Sequence, residues 1–146
     1  MLLLFALHSP SSCAPRTVLV LKHGTFFGHC GGRCVAEIEV STTHVRYTAT
    51  NINQPQGQDA TLEGAISTKE WDDVTHEVDQ RVLTRLDDRI GCPDCDDGGG
   101  EWVEVSFTDG ARKRVTFPYG KPPAQIADLV VKLRAIQMRL EAQVRN

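Results

Sequence analysis

The sequence predicts an α+β fold, a two-layer sandwich in which two helices cover one face of an antiparallel sheet of four or five strands. A short apolar segment and two pairs of alternating apolar segments predict the strands, and two segments with helical spacing predict the helices. Their order along the chain is β-β-β-α-β-β-α. Because 146 residues suit one hydrophobic core, we expect a single domain at residues 16–146.

The first strands are predicted from residue 18 to residue 50. Residues 18–22, VLVLK, are typical of a short buried strand, and HGTFFGHCGGR after it is expected to be a loop. From Cys34 to Val40 the apolar residues alternate, and they do so again in VRYTAT. A hairpin that pairs Ser41 with His44 keeps the apolar face continuous. It places Val40 opposite Val45, Ile38 opposite Tyr47 and Ala36 opposite Ala49.

A polar loop and a helix are predicted to follow this hairpin. Residues 51–62 contain Asn, Pro and Gly without periodicity, which is typical of a loop. Ser67 and Glu70 have the spacing of a capping box, in which each side chain accepts a hydrogen bond from the other residue's backbone. The helix then predicted ends near Arg89, with Gly91 as its stop. Its apolar positions are Trp71, Val74, Val78, Val82 and Leu86.

The last predicted elements are a second hairpin and a closing helix. A three-residue Asp-Gly-Ala turn would set Val105 opposite Val115, with Gly110 or Ala111 at positive φ. Pro122 and Pro123 suit the first turn of a helix. The buried stripe of that helix is predicted to comprise Ile126, Leu129, Val130, Leu133, Ile136 and Leu140.

Composition and charge exclude several classes of protein. With 40% hydrophobic and 24% charged residues, the chain has the composition of an ordinary globular domain. A net charge of −3 provides no basic surface of the kind that binds nucleic acid. The apolar run Leu2–Leu7 is far shorter than the roughly 20 residues of a transmembrane helix. We expect residues 1–15 to be a remnant of a secretory leader or a disordered N-terminus.

Four cysteines in two short clusters carry the strongest functional signal. Cys30 and Cys34 lie in GHCGGRC, and Cys92 and Cys95 lie in GCPDCDDGGGE. The four sulfurs could form a tetrahedral zinc site, since C-P-x-C is a zinc-knuckle pattern. The first pair lacks C-x-x-C spacing, however, and acidic residues crowd the second pair. Thiol catalysis is disfavoured further, because nearby carboxylates raise the pKa of a thiol.

Disulfides are the interpretation we prefer for these cysteines. Four of the five cysteines form an even set, which in a small domain is typical of disulfide-stabilised exported proteins. The fifth, Cys13, is expected to be removed, lipidated or free. We favour the local pairs Cys30–Cys34 and Cys92–Cys95, because each closes a glycine-rich loop. Zinc held by the same four residues is the alternative.

Three aromatic residues lie close to the cysteine loops in the sequence. Phe26, Phe27 and Trp102 would form a contact patch for a partner if they were exposed. Large aromatic residues are more often buried, so packing within the core or the loops is the competing interpretation.

The segments around the first cysteine pair resemble a known family. CGGRCVAEIEV, HVRYTAT and GAISTKEWDDV are similar to a bacterial domain of unknown function that opens with a C-x-G-x-C-P-x-Y strand. The resemblance spans about residues 29–136 and is carried by Cys30, Gly32, Cys34 and Tyr47. Val35 and Glu37 stand where the family has proline and an aromatic residue. The family occurs in small exported proteins and lipoproteins, so the resemblance implies an exported domain without established enzymatic activity.

These observations lead to two functional hypotheses. The first is an exported, non-enzymatic, disulfide-stabilised domain without a cofactor, located in the periplasm, cell envelope or extracellular space. It would bind a protein or a cell-envelope component, and neither nucleic acid nor a transmembrane segment is expected. The alternative is a cytosolic adaptor stabilised by zinc on Cys30, Cys34, Cys92 and Cys95.

Overall fold

Six antiparallel strands form one open sheet in the computed structural model, which describes residues 16–51 and 59–144. The segment expected to be a leader or a disordered N-terminus, residues 1–15, lies outside this range. The strand order is β4-β3-β2-β1-β5-β6. The strands are β1 (Val18–Phe26), β2 (Val35–Val40), β3 (His44–Thr50), β4 (Ala60–Ala65), β5 (Gly100–Phe107) and β6 (Arg112–Pro118).

Three α-helices complete the fold and confirm the α+β class. They are α1 (Thr68–Thr75), α2 (Gln80–Leu83) and α3 (Ala127–Val144), with short 3-10 turns at Cys95–Asp97 and Ala124–Ile126. The described chain therefore has one strand more than the predicted maximum of five, and one helix more than the predicted two. In the described ranges, no helix is both long enough and apolar enough to cross a bilayer.

The hairpin of β2 and β3 has the predicted register. Val40 pairs with Val45, Ile38 with Tyr47 and Ala36 with Ala49. The Ser41 N–H donates to the His44 carbonyl at 2.9 Å and closes the turn. Alternation alone predicts this register, because a slip by one residue would turn the whole apolar face towards solvent.

Strand β4 was not predicted, and it lies partly in the segment expected to be a loop. It pairs with β3 along its whole length, from Ala60 opposite Ala49 to Ala65 opposite His44. Its inward positions include Gly64, where an added Cβ would meet Leu140 of α3 at 3.4 Å. Small residues therefore let α3 approach this end of the sheet, and they also leave β4 without a strong apolar pattern.

The predicted register of the second hairpin is wrong by two residues. Val103, rather than Val105, pairs with Val115. The loop is Thr108-Asp109-Gly110, closed by a 2.9 Å hydrogen bond from the Phe107 N–H to the Ala111 carbonyl. Gly110 has a φ of 86°, which confirms the predicted positive φ. Because the shift is even, each apolar residue keeps its predicted face.

The helix predicted from Ser67 to Arg89 is interrupted. The capping box is confirmed: the Ser67 side chain accepts from the Glu70 N–H, and the Glu70 carboxylate accepts from the Ser67 N–H. The first helix nevertheless ends at Thr75, whose hydroxyl donates to the Trp71 carbonyl at 2.9 Å. Asp79 then caps α2 by accepting from two backbone N–H groups. A second N-cap inside an apolar repeat thus divides one predicted helix into two.

The core lies between the helices and one face of the sheet. All six predicted positions of the closing helical segment are buried, from Ile126 at 4% exposure to Leu140 at 2%. Leu133 is fully buried, and replacing a buried leucine with alanine costs about 2–5 kcal/mol. The opposite face of the sheet carries charged pairs such as Arg114 and Glu104, whose Nε and Oε2 atoms lie 2.9 Å apart.

Candidate functional site

The two cysteine loops meet at one end of the molecule. The Asp94 carboxylate accepts a hydrogen bond from the Gly28 N–H at 3.1 Å, which ties the second loop to the first. A second contact joins His29 Nδ1 to Asp97 Oδ1 at 2.7 Å. Two clusters that lie far apart in the sequence thus form one surface, as the antiparallel pairing of β1 with β5 requires.

Within each loop, the two cysteines lie close together in space. The Cys30 and Cys34 sulfurs are at bonding distance with their Cα atoms 5.6 Å apart, and the same holds for Cys92 and Cys95 at 5.5 Å. Both separations fall within the range of protein disulfides. Gly32, at a φ of 140°, provides the backbone bend of the first loop. These positions are compatible with the local pairing that the sequence favours.

A shared zinc site would need both cysteine pairs around one ion. Within residues 16–51 and 59–144, no three His, Cys, Asp or Glu side chains are placed to hold a metal. The zinc alternative stays a prediction.

Strand β1 extends four residues beyond its predicted end and carries a buried histidine. Leu21, His23 and Thr25 alternate along β1, so they share its inward face. His23 is 1% exposed. Its Nε2 lies 2.7 Å from Glu101 Oε1, and its Nδ1 lies 2.6 Å from Gln137 Oε1. The predicted loop is therefore strand up to Phe26, and it brings a polar group into the core.

Glu101 is the centre of this buried polar cluster. It is fully buried on β5, and its carboxylate accepts hydrogen bonds from His23, from the Arg134 guanidinium and from the Gly120 N–H at 3.1 Å. Burial alone would raise the pKa of Glu101. The hydrogen bonds from His23, Arg134 and Gly120 outweigh burial and lower this pKa to about 2. Glu101 therefore remains ionised within the core.

Gln137 links this cluster to the end of α3. Its Nε2 donates to Glu141 Oε1 at 2.9 Å, so its Oε1 is the atom that faces His23. Both ring nitrogens of His23 consequently lie within hydrogen-bond distance of a side-chain oxygen. No buried side-chain nitrogen or oxygen among the described residues lacks a hydrogen-bond partner.

A pocket of about 420 Å³ opens above this cluster, beside the first cysteine loop. His23, Arg134 and Gln137 lie at its polar side, and Cys34 forms part of the wall. Its volume falls within the range of about 300–1,000 Å³ that is typical of small-ligand sites. The other lining residues are Thr25, Phe27, Arg33, Ala36, Tyr47, Tyr119, Met138 and Glu141.

The three aromatic residues considered as a contact patch do not share one surface. Phe27 lines the pocket and packs edge-on against Tyr119, with ring centres 5.0 Å apart. Phe26 is half-buried and covers Gly100. Trp102 is 6% exposed on the opposite face of the sheet, with the Arg114 guanidinium carbon 3.8 Å from its ring centre. Only Phe27 is thus placed to contact a ligand in the pocket.

The sequence reasoning missed the polar cluster. One signal could have indicated Glu101: it precedes Val103, Val105 and Phe107 by even steps, so alternation places its carboxylate on the inward face. His23 follows Leu21 in the same way. The third partner, Arg134, comes from a helix 33 residues after Glu101, and no local pattern predicts that contact.

The chain matches no known family model, and no curated protein shows significant similarity to it. The resemblance to an exported bacterial domain stays a prediction.

Proposed function

We propose that this protein is an exported, non-enzymatic binding domain stabilised by two local disulfides. Its ligand, a protein or a cell-envelope component, binds at the end where the two cysteine loops meet. The observation that carries the proposal is the convergence at this end of both cysteine pairs and the pocket.

The cysteine geometry supports the compartment. Disulfides form and persist in oxidising environments and are rare in the cytosol. Two pairs at bonding distance, Cys30 with Cys34 and Cys92 with Cys95, fit a domain that folds outside the cytosol. Cys34 is 1% exposed at the start of β2, so its bond would fix the wall of the pocket to the first loop.

The cysteine state can be tested by intact mass measurement after expression into a bacterial periplasm. We expect an alkylating reagent to label at most Cys13 without reductant, and to label Cys30, Cys34, Cys92 and Cys95 in addition after reduction and unfolding. Peptide mapping of the oxidised protein should recover the Cys30–Cys34 and Cys92–Cys95 links.

A different result of the same experiment would support the zinc adaptor. Four labelled cysteines in the absence of reductant would contradict the proposal. About one zinc per chain by elemental analysis, with unfolding on addition of a chelator, would then favour the four-sulfur site, since structural zinc contributes directly to folding.

A further inference from the structure

The guanidinium of Arg134 is held in a fixed orientation at the pocket. Its Nε donates to Glu101 Oε1 at 2.6 Å and its Nη2 donates to Glu101 Oε2, so both atoms of one edge are used. The side chain remains 31% exposed, and its Nη1 donates to no acceptor in the described chain. Arg134 thus presents a positioned donor pair without the entropic cost of ordering a free side chain.

The Arg134 guanidinium favours an anion in the pocket. Arg33 also lines the pocket, and both oxygens of the Glu101 carboxylate accept hydrogen bonds from Arg134. Glu101 is already saturated by hydrogen bonds, and Glu141 Oε1 accepts from Gln137. The Glu101 carboxylate therefore turns no free edge towards a ligand at Arg134, and Nη1 of Arg134 can donate to an incoming anion.

Part of the remaining wall of the pocket is apolar and aromatic. Phe27 and Tyr119 pack together on one side, and Tyr47 and Met138 also line the pocket. Tyr119 is 47% and Met138 67% exposed, so both can lose solvent contact when a ligand binds. Large apolar side chains around a few fixed polar groups are typical of sites that orient a small ligand.

We propose that the pocket binds a carboxylate attached to an aromatic or other apolar group, with the carboxylate at Arg134 and the apolar group against Tyr119 and Met138. The inference rests on the proposed binding function and names the ligand class of that site. The carboxylate belongs either to the C-terminus of a protein or to a small acid of the cell envelope, because both present the same chemistry to Arg134.

Calorimetric titration of the oxidised protein with N-acetyl-phenylalanine tests the proposal, and N-acetyl-phenylalaninamide is the matched control. The two probes differ only in the carboxylate. We expect the acid to bind at least about tenfold more tightly than the amide, since hydrogen bonds to charged groups are the stronger ones. A tetrapeptide ending in phenylalanine, as free acid and as amide, distinguishes a peptide terminus from a free acid.

A pair of exposed positions on α3 provides matched variants. Met138→Glu places a carboxylate at the pocket and should weaken acid binding at least about tenfold by repulsion between like charges. Val131→Glu adds the same charge at a position 58% exposed and outside the pocket lining. It lies about 10 Å away along the helix, so salt should screen it and affinity should change less than about twofold.

Tyr119→Ala removes part of the apolar wall and a ring whose centre lies 6.0 Å from the Arg134 guanidinium carbon. Both hydrogen bonds of Arg134 to Glu101 remain, so the variant should weaken the acid and the amide alike. Equal binding of acid and amide would overturn the proposal, as would no binding of any probe or equal effects of Met138→Glu and Val131→Glu. Each of these results would contradict the ligand class but not the proposed disulfide-stabilised domain, provided that alkylation shows both disulfides intact. Free cysteines together with selective binding of the acid would contradict the proposed function but not the ligand class.

Discussion

Replacing Glu101 with glutamine is expected to destabilise the protein at neutral pH by about 3–5 kcal/mol, the cost of removing one partner from a buried ion pair. Glu101 is fully buried and accepts hydrogen bonds from His23, Arg134 and the Gly120 N–H. Glutamine has nearly the same shape but carries no charge and brings an N–H₂ group towards these donors. Urea unfolding at pH 7, monitored by circular dichroism, measures the loss of unfolding free energy.

The same substitution should remove much of the acid sensitivity of the fold. The pKa of Glu101 is lowered in the folded protein to about 2, against an ordinary value of 4.5. A lowered pKa means that the stabilisation is fully present above about pH 4.5 and is lost as the pH falls towards 2. Its size is on the order of 3 kcal/mol. The unfolding free energies of wild type and Glu101→Gln should therefore converge as the pH is lowered through this window.

Glu70→Gln provides the control for acid sensitivity. Hydrogen bonds from the Ser67 backbone and from Arg139 also lower the pKa of Glu70 to about 2, but its side chain is 36% exposed. Glutamine preserves the capping box, so we expect a loss below about 1 kcal/mol and a pH dependence close to that of wild type. Equal stability of wild type and Glu101→Gln at pH 7, or parallel pH profiles, would show that the buried cluster contributes little.

Substituting Gly24 with alanine is expected to cost about 1–3 kcal/mol by overpacking. Gly24 in β1 pairs with Trp102 in β5, and the indole lies over the glycine. An added Cβ would lie 2.6 Å from Trp102 Nε1 and closer still to two ring carbons. The ring cannot move away freely, because the Arg114 guanidinium carbon is 3.8 Å from its centre. Urea unfolding followed by tryptophan fluorescence measures the effect.

Two comparisons isolate the contact between Gly24 and Trp102. Gly31→Ala is the matched substitution, since no atom lies within 4 Å of an added Cβ there and its φ is not left-handed. In a Trp102→Ala background, Gly24→Ala should lose most of its cost, because the clashing ring is absent. Equal costs in both backgrounds would show that glycine is needed at position 24 for another reason.

Local sequence patterns correctly predicted the strands and helices that have one consistently apolar face. Alternation from Cys34 to Val40 and again after His44 specified a single hairpin register, and the structure has that register. The capping box at Ser67 and the apolar stripe from Ile126 to Leu140 are confirmed for the same reason. Each depends on neighbours within a few residues, which is the range over which sequence periodicity acts.

Predictions were wrong where tertiary contacts replaced local signals. Strand β4 has Ala60 and Gly64 facing inward, and its pairing with β3 supplies the order that its composition lacks. The Asp79 cap divides the predicted long helix, and an even register shift in the second hairpin left no trace in the apolar pattern. Strand β4 and the second hairpin depend on packing between strands, whereas the helix break depends on a local cap that the apolar periodicity does not report.

The sequence by itself determined the α+β class, the first hairpin, the buried face of the closing helix and the local proximity of each cysteine pair. Tertiary structure decided that the two cysteine loops meet through Asp94, and that His23, Glu101 and Arg134 form one buried cluster beneath a pocket. The physical reason is the range of the interactions. Backbone periodicity and short loops act between neighbours in the chain, whereas a buried charge is stable only beside partners that distant strands and helices bring to it.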